Sequence, residues 1–249
     1  MLSEQLANAE AAEPAGQPDR WRRLLLVLLA ISSAIVALSL LLPALVHHEL
    51  TRDVGAARVF TFVGAEANLP TWWSASLLFG AALLHVQAGA LARRSGIKGA
   101  SAWWILAVLF AALSLDELTA LHERLDEWGL ALTDSGFAFP WLVLGTPIAI
   151  GIIAIALVAG RHLPRRSKVL SLAGLGLVFL SAVGLEAIGG LLLGDQEGEF
   201  QGENTLYTLV MHLEEFGEMA GAALAVCSPI AALQIRRSGA EVGVSLRSR

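Results

Sequence analysis

Cysteine is nearly absent from this chain. Cys227 is the single one in 249 residues, which excludes an internal disulfide and any multi-cysteine zinc or redox motif. Charge is scarce too. Asp, Glu, Lys and Arg together make up 16% of the residues. No long run of one sign occurs, so the electrostatic footprint of a nucleic-acid binder is missing. No internal repeat is visible. What is abundant is hydrocarbon: 55% of the residues are hydrophobic and the mean hydropathy is +0.64. Those values describe a polytopic membrane protein rather than a water-soluble domain.

The apolar residues fall into six runs. Leu24 to Val46 is preceded by Trp21, Arg22 and Arg23 and is too long for a signal-peptide core, so it reads as an uncleaved anchor. Further runs cover Thr71 to Leu91, Ala102 to Glu123, Pro140 to Gly160, Val169 to Leu193 and Thr205 to about Leu233. Each approaches the ~20 residues that cross ~30 Å of hydrocarbon at ~1.5 Å per residue. None alternates as barrel strands do. The expected fold is an all-α membrane bundle of six transmembrane helices. Residues 1–20 form a disordered tail, 21–235 the membrane domain and 236–249 a basic tail. Within the loop from His47 to Pro70, Val59-Phe-Thr-Phe-Val63 is placed at the membrane surface.

Lys and Arg orient the bundle. Fourteen of the 17 basic residues flank the ends that lie on the side of the two termini, among them Arg93, Arg94, Lys98, Arg165, Arg166 and Lys168. Only Arg52, Arg58 and Arg124 lie opposite. By the positive-inside rule both termini are cytoplasmic, in a bacterial-type plasma (inner) membrane. Trp72, Trp73, Trp128, Trp141 and Tyr207 then mark the outer interface, where the loop Asp195-Gln-Glu-Gly-Glu199 is acidic.

Against this background certain residues are out of place. Asp116, Glu117, His122 and Glu123 end the third span, Glu186 lies in the fifth, and His212, Glu214, Glu215 and Glu218 lie in the sixth. Ionisable groups at membrane depth are costly and mark candidate sites. Counting ~1.5 Å per residue from the outer surface puts Asp116 at ~12 Å, Glu186 at ~13 Å, Glu215 at ~16 Å and Glu218 at ~21 Å. Three distant segments thus carry acids at similar depth in the outer half, while the inner halves are nearly bare. On a continuous third helix, Asp116 and Glu123 would share a face, about 20° apart at ~100° per residue. Gly217, Gly221 and Ala225 form a small-residue ridge beside Glu214 and Glu218, which turns those acids into the bundle.

Seven acids without an interspersed Lys or Arg cannot all ionise in a low dielectric. Protons or metal cations must balance them. In the metal reading, Asp116, Glu186, His212, Glu215 and Glu218 hold a divalent ion. A mixed His and carboxylate set suits zinc, iron or manganese. Glu117, Glu123 or Glu214 serves as general base for attack on a lipid-borne or periplasmic small-molecule substrate. A second reading is a proton- or cation-coupled transporter. Its inward continuation is thin, resting on His85, Gln87 and Ser228. A third is a non-catalytic assembly or sensor protein. His47 and His48 read as a solvated loop, and His85 as a packed hydrogen-bonding group. Ser114-Leu-Asp116-Glu117 on a membrane helix resembles the superfamily of alkaline ceramidases and adiponectin receptors. The late His-x-x-x-His helix of that family is absent, with His212 alone in its place, and the chain is not assigned to it.

Overall fold

A computed structural model describes residues 20–51, 55–132, 139–193, 205–238 and 241–246. The N-terminal tail through residue 19, Arg52, the acidic 195–199 loop, Arg247 and Arg249 lie outside the described residues. Helix α1 spans Arg20–Leu45, and a single turn at Glu49–Thr51 leads to the short helix α2, Ala56–Thr61. Then come α3, Leu69–Arg94; α4, Ala100–Thr119; a single turn at Glu123–Leu125; α5, Asp126–Leu132; and α6, Leu142–Gly160. The next span is compound: α7, Arg165–Phe179, a π-helical stretch, Leu180–Leu185, and α8, Glu186–Leu193. Helix α9, Thr205–Ala232, follows with 28 residues.

Among the described residues, five helices are long and apolar enough to cross a membrane: α1, α3, α4, α6 and the compound 165–193 helix. Large hydrophobic side chains on their outer faces are exposed, as lipid-facing positions require. Leu26 on α1, Val108 on α4 and Ile150 on α6 are each more than 60% exposed. Helix α9 does not belong to that set, because its acids lower its hydropathy. It is instead the axis of the bundle, packing most extensively on α7 and also on α1 and α3. A helix sheltered on several sides by apolar neighbours can carry carboxylates that a lipid-facing helix cannot.

Glycine sets how closely α7 and α9 approach. A Cβ added to Gly221 would lie 2.6 Å from the Gly174 carbonyl oxygen, and one on Gly174 would lie 2.5 Å from the Gly221 oxygen. One turn along, a Cβ on Gly217 would overlap Ser181 Oγ at 2.1 Å. The small-residue ridge read from the sequence is therefore a backbone-to-backbone crossing.

Below it, on the side of the termini, the core is dry. Leu106, Phe110, Ala156, Leu175 and Ala222 are buried to 1% exposure or less. His85 belongs to this layer. Its Nδ1–H donates to the Ala81 carbonyl at 2.7 Å, Nε2 lies 3.2 Å from Ser171 Oγ, and its ring packs on Trp103 and Phe110. Ser171 in turn meets Ser228 at 2.7 Å, tying α3, α7 and α9 together.

Three features depart from the sequence reading. Helix α4 ends at Thr119, not near Glu123, because Ala120 adopts the left-handed conformation (φ 47°, ψ 47°). Asp116 and Glu123 thus do not share a helical face. The fifth span is not a continuous α-helix, since the π-helical stretch intervenes before Glu186. The chain after α9 is not wholly a tail: β1, Leu233–Ser238, pairs antiparallel with β2, Glu241–Leu246, in a register from Leu233 opposite Leu246 to Ser238 opposite Glu241. Leu246 is buried against the bundle core.

The entry to α3 is fixed by Asn68. Its Oδ1 accepts from the Thr71 N–H at 3.2 Å, and its Nδ2 donates to the Phe62 carbonyl at 2.6 Å, with Pro70 in the first turn. One side chain thus caps the helix and holds the loop before it. Asn68→Ala is expected to destabilise the protein by about 1–2 kcal/mol, the upper range of a lost N-cap. Chemical denaturation in detergent would register it as a lower midpoint.

Candidate functional site: a carboxylate-lined chamber

Above the dry layer, α3, α4, α6, α9 and the compound helix separate to enclose a cavity of about 690 Å³. The first two turns of α3 and its leading loop supply Glu66, Thr71 and Ser74 to the wall. Helix α4 and the turn after it supply Asp116, Glu117, His122 and Glu123, and the compound helix supplies Glu186. Helix α9 supplies Glu214, Glu215 and Glu218. Eight carboxylates therefore face one space, and no Lys or Arg lines it among the described residues. Apolar side chains, including Leu78, Ile148, Ile152 and Phe179, fill the gaps between them.

Two backbone irregularities lie beside these groups. The left-handed residue Ala120 reverses the chain after α4 and brings His122 back over the helix end. His122 N–H donates to Asp116 Oδ1 at 2.9 Å, and His122 Nδ1–H donates to Asp116 Oδ2 at 3.1 Å. The His122 ring also packs on Trp141, centroid to centroid 4.9 Å. The π-helical stretch is the second. It runs through Leu180–Leu185, and Phe179, Ala182, Val183 and Glu186 face the chamber across it at the i, i+3, i+4, i+7 spacing of one helical face. Such stretches recur where a helix must present a functional side chain. Trp141 Nε1–H donates to Glu186 Oε1 at 2.9 Å. Gly145 makes room for that indole, because a Cβ there would strike the Trp141 ring at 2.1 Å.

At the mouth, Glu66, His122 and Glu123 each offer a donor atom, and these atoms lie within 4.8 Å of one another. This trio could hold a metal ion. With Nδ1–H committed to Asp116, His122 presents Nε2, the arrangement in which a carboxylate orients and strengthens an imidazole ligand. Burial would lower the His122 pKa, but the Asp116 hydrogen bond and charge outweigh it, with Glu186 and Glu66 adding to them, and push it up to about 9. Glu66 titrates above the usual carboxylate range. Partial burial of its carboxyl at the mouth is the main cause, followed by the charge of Glu123, against an opposing pull from His122.

The chamber gathers most residues singled out in the sequence: Asp116, Glu117, Glu123, Glu186, Glu214, Glu215 and Glu218. His212 does not join them. Its Nδ1–H donates to the Thr208 carbonyl at 2.7 Å, and Nε2 accepts from the Ser39 hydroxyl at 3.1 Å. Both ring nitrogens are engaged, so His212 links α9 to α1 and is not among the residues lining the chamber. Ser39 Oγ also accepts from the Val63 N–H at 3.1 Å, while Arg58 Nη1 donates to the Ser39 carbonyl at 2.8 Å. Glu123, read as a base, lies instead with the donor atoms at the mouth. Trp141 and Tyr207, read as interfacial, are buried and line the chamber, unlike Trp72 and Trp128, which are exposed. His47 and His48 are exposed and away from it.

Glu66 was missed from the sequence because it sits in a loop outside every apolar run. The available signal was its place two residues before the N-cap of α3, beside a span that carries no acid of its own.

Fold and site together define a helical bundle of apolar, membrane-length helices around an acidic chamber. The chain belongs to the family described as Domain of unknown function (DUF8692), which it matches over residues 24–233. That match contains every chamber residue. No curated protein and no solved structure matches the chain.

Proposed function

We propose that this is a six-span protein of a bacterial-type inner membrane, with cytoplasmic termini, whose chamber opens outward. On this reading it binds a divalent cation (zinc, iron or manganese) at the chamber mouth and acts as a metal-dependent membrane enzyme on a lipid-borne or periplasmic small molecule. Helix α9 supplies the sixth span: its 28 residues extend about 42 Å at ~1.5 Å per residue, more than the hydrocarbon thickness. The Lys and Arg bias supports the orientation.

The observation that carries the reading is the convergence of Glu66, His122 and Glu123 at one edge of a chamber lined by further carboxylates. Three protein donors leave coordination positions open to water or substrate, as catalytic sites do. The ion would serve as a Lewis acid there. Asp116 fixes the His122 ring. Glu117 and Glu214, deeper in the wall, are the carboxylates free to take a proton. Glu186 is held to Trp141 and shapes the passage.

Elemental analysis of purified protein after metal-replete growth tests this. One equivalent of a transition metal is expected in the wild type, falling below about a tenth in the double variant Glu66→Gln/Glu123→Gln, since two of three donors are lost. Trace metal in the wild type would end the metal reading. Cation-dependent flux in proteoliposomes, lost in Glu215→Gln, would put the transporter reading ahead.

A further inference from the structure

The deep chamber differs in kind from its mouth. Glu117, Glu215 and Glu218 lie within range of one another's charge. Yet among the described residues only the mouth trio brings three His, Cys, Asp or Glu donor atoms within 4.8 Å of one another. The deep carboxylates are therefore spread too widely for one bare ion to satisfy. Beside Glu117 lies Ser74, 2% exposed, with a hydroxyl that has no hydrogen-bond partner. It lines the chamber beside Glu117, close enough to interact but outside bonding geometry. A buried hydroxyl left unpaired costs about 1–3 kcal/mol, so such a group calls for a ligand.

The chamber's shape narrows the choice. Along α9 its lining runs from Tyr207 to Glu218, about 16 Å at ~1.5 Å per residue. Its volume of about 690 Å³ falls in the range of small-molecule sites, roughly 300–1,000 Å³. Its lining combines the acids with apolar wall, including Leu78, Ile148 and Phe179. A metal ion matches the charge but not the spacing. An anionic substrate meets repulsion throughout. A chain of methylenes with several ammonium groups matches the dispersed acids and the apolar wall together.

We propose that the inner chamber binds a linear aliphatic polyamine, with one ammonium among Glu117, Glu215 and Ser74 Oγ, a second toward Glu186 and Glu214, and methylenes against Leu78, Ile148 and Phe179. This deepens the functional reading above, resting on its outward-opening chamber, and names the substrate class.

The test uses the full chain in nanodiscs, titrated with spermidine and followed by calorimetry and by the fluorescence of Trp141, beside an ethanolamine phospholipid and 1-aminobutane. Saturable spermidine binding is expected, at least tenfold tighter than 1-aminobutane. Glu215→Gln should weaken it at least tenfold and leave the bound metal in place. Ser74→Ala, which removes one oxygen and little volume, should weaken it about threefold and keeps the test open if Glu215→Gln fails to fold. Glu66→Gln/Glu123→Gln should lose the metal and retain spermidine within about threefold, so that failure of the metal reading and failure of the amine reading are seen separately. Absence of saturable binding would overturn the proposal. So would binding indifferent to both deep variants, equal affinity for the monoamine, or displacement by the phospholipid alone.

Discussion

Asp116→Asn should uncouple His122 from its anchor and, in the metal-free protein, return its titration from about 9 toward the ordinary imidazole value of ~6.5. The sign follows from linkage. The pair's folded-state value lies above the unfolded one, so its contribution to stability is complete below pH ~6.5 and is lost as pH rises through about 9. The wild type should therefore lose stability across that window, and the variant should not. Metal affinity moves the other way with pH. A metal ion must displace the Nε2 proton, so apparent affinity climbs toward pH 9 in the wild type, by up to about tenfold per unit.

In Asp116→Asn that climb ends near the ordinary imidazole value. Loss of the carboxylate behind the ligand should weaken binding about 10–100-fold at pH 9. Nearer pH 7 relief from proton competition masks part of the loss. NMR titration of the His122 ring and metal-buffered affinity measurements from pH 6 to 9 would test both halves. An unchanged ring titration would remove Asp116 from its positioning role.

The second large effect concerns the crossing beneath the chamber. Gly221→Val should separate α7 from α9, because its side chain would meet the Gly174 oxygen at 2.6 Å and the Val178 nitrogen at 2.9 Å. Neither is the flexible end of a side chain, so the helices themselves must move. Overpacking of this kind costs about 1–3 kcal/mol and more where backbone is struck. The consequence reaches function, since Glu214, Glu215 and Glu218 ride on the same helix within two turns. Loss of thermal stability together with loss of amine binding is expected. Gly176→Ala is the control: nothing lies within 4 Å of its added Cβ. It should gain about 0.5–1 kcal/mol from reduced backbone freedom. A Gly221→Val protein as stable as wild type would refute the close crossing.

Much of this site was legible beforehand for a simple reason. Membrane-length apolar runs define an axis, and ~1.5 Å per residue along it converts sequence position into depth. Asp116, Glu186 and Glu215 could thus be assigned to one layer without knowledge of their neighbours. The ridge of Gly217, Gly221 and Ala225 also revealed which side of α9 faces inward. Depth says nothing about the angle around the axis, however, nor about a chain that leaves its helix.

By itself, then, the sequence determined the solvent, the helical class, the layer holding the acids and their lack of basic partners. These are one-dimensional properties of hydropathy and spacing. Tertiary structure decided which groups meet. The left-handed turn at Ala120 folds His122 onto Asp116, a hydrogen bond between two helices' ends ties Trp141 to Glu186, and the Asn68 cap sets Glu66 at the mouth. It also withdrew His212, whose pairing with Ser39 spans 173 residues. Local backbone irregularities and long-range hydrogen bonds depend on packing between elements, and periodicity along one helix cannot encode them.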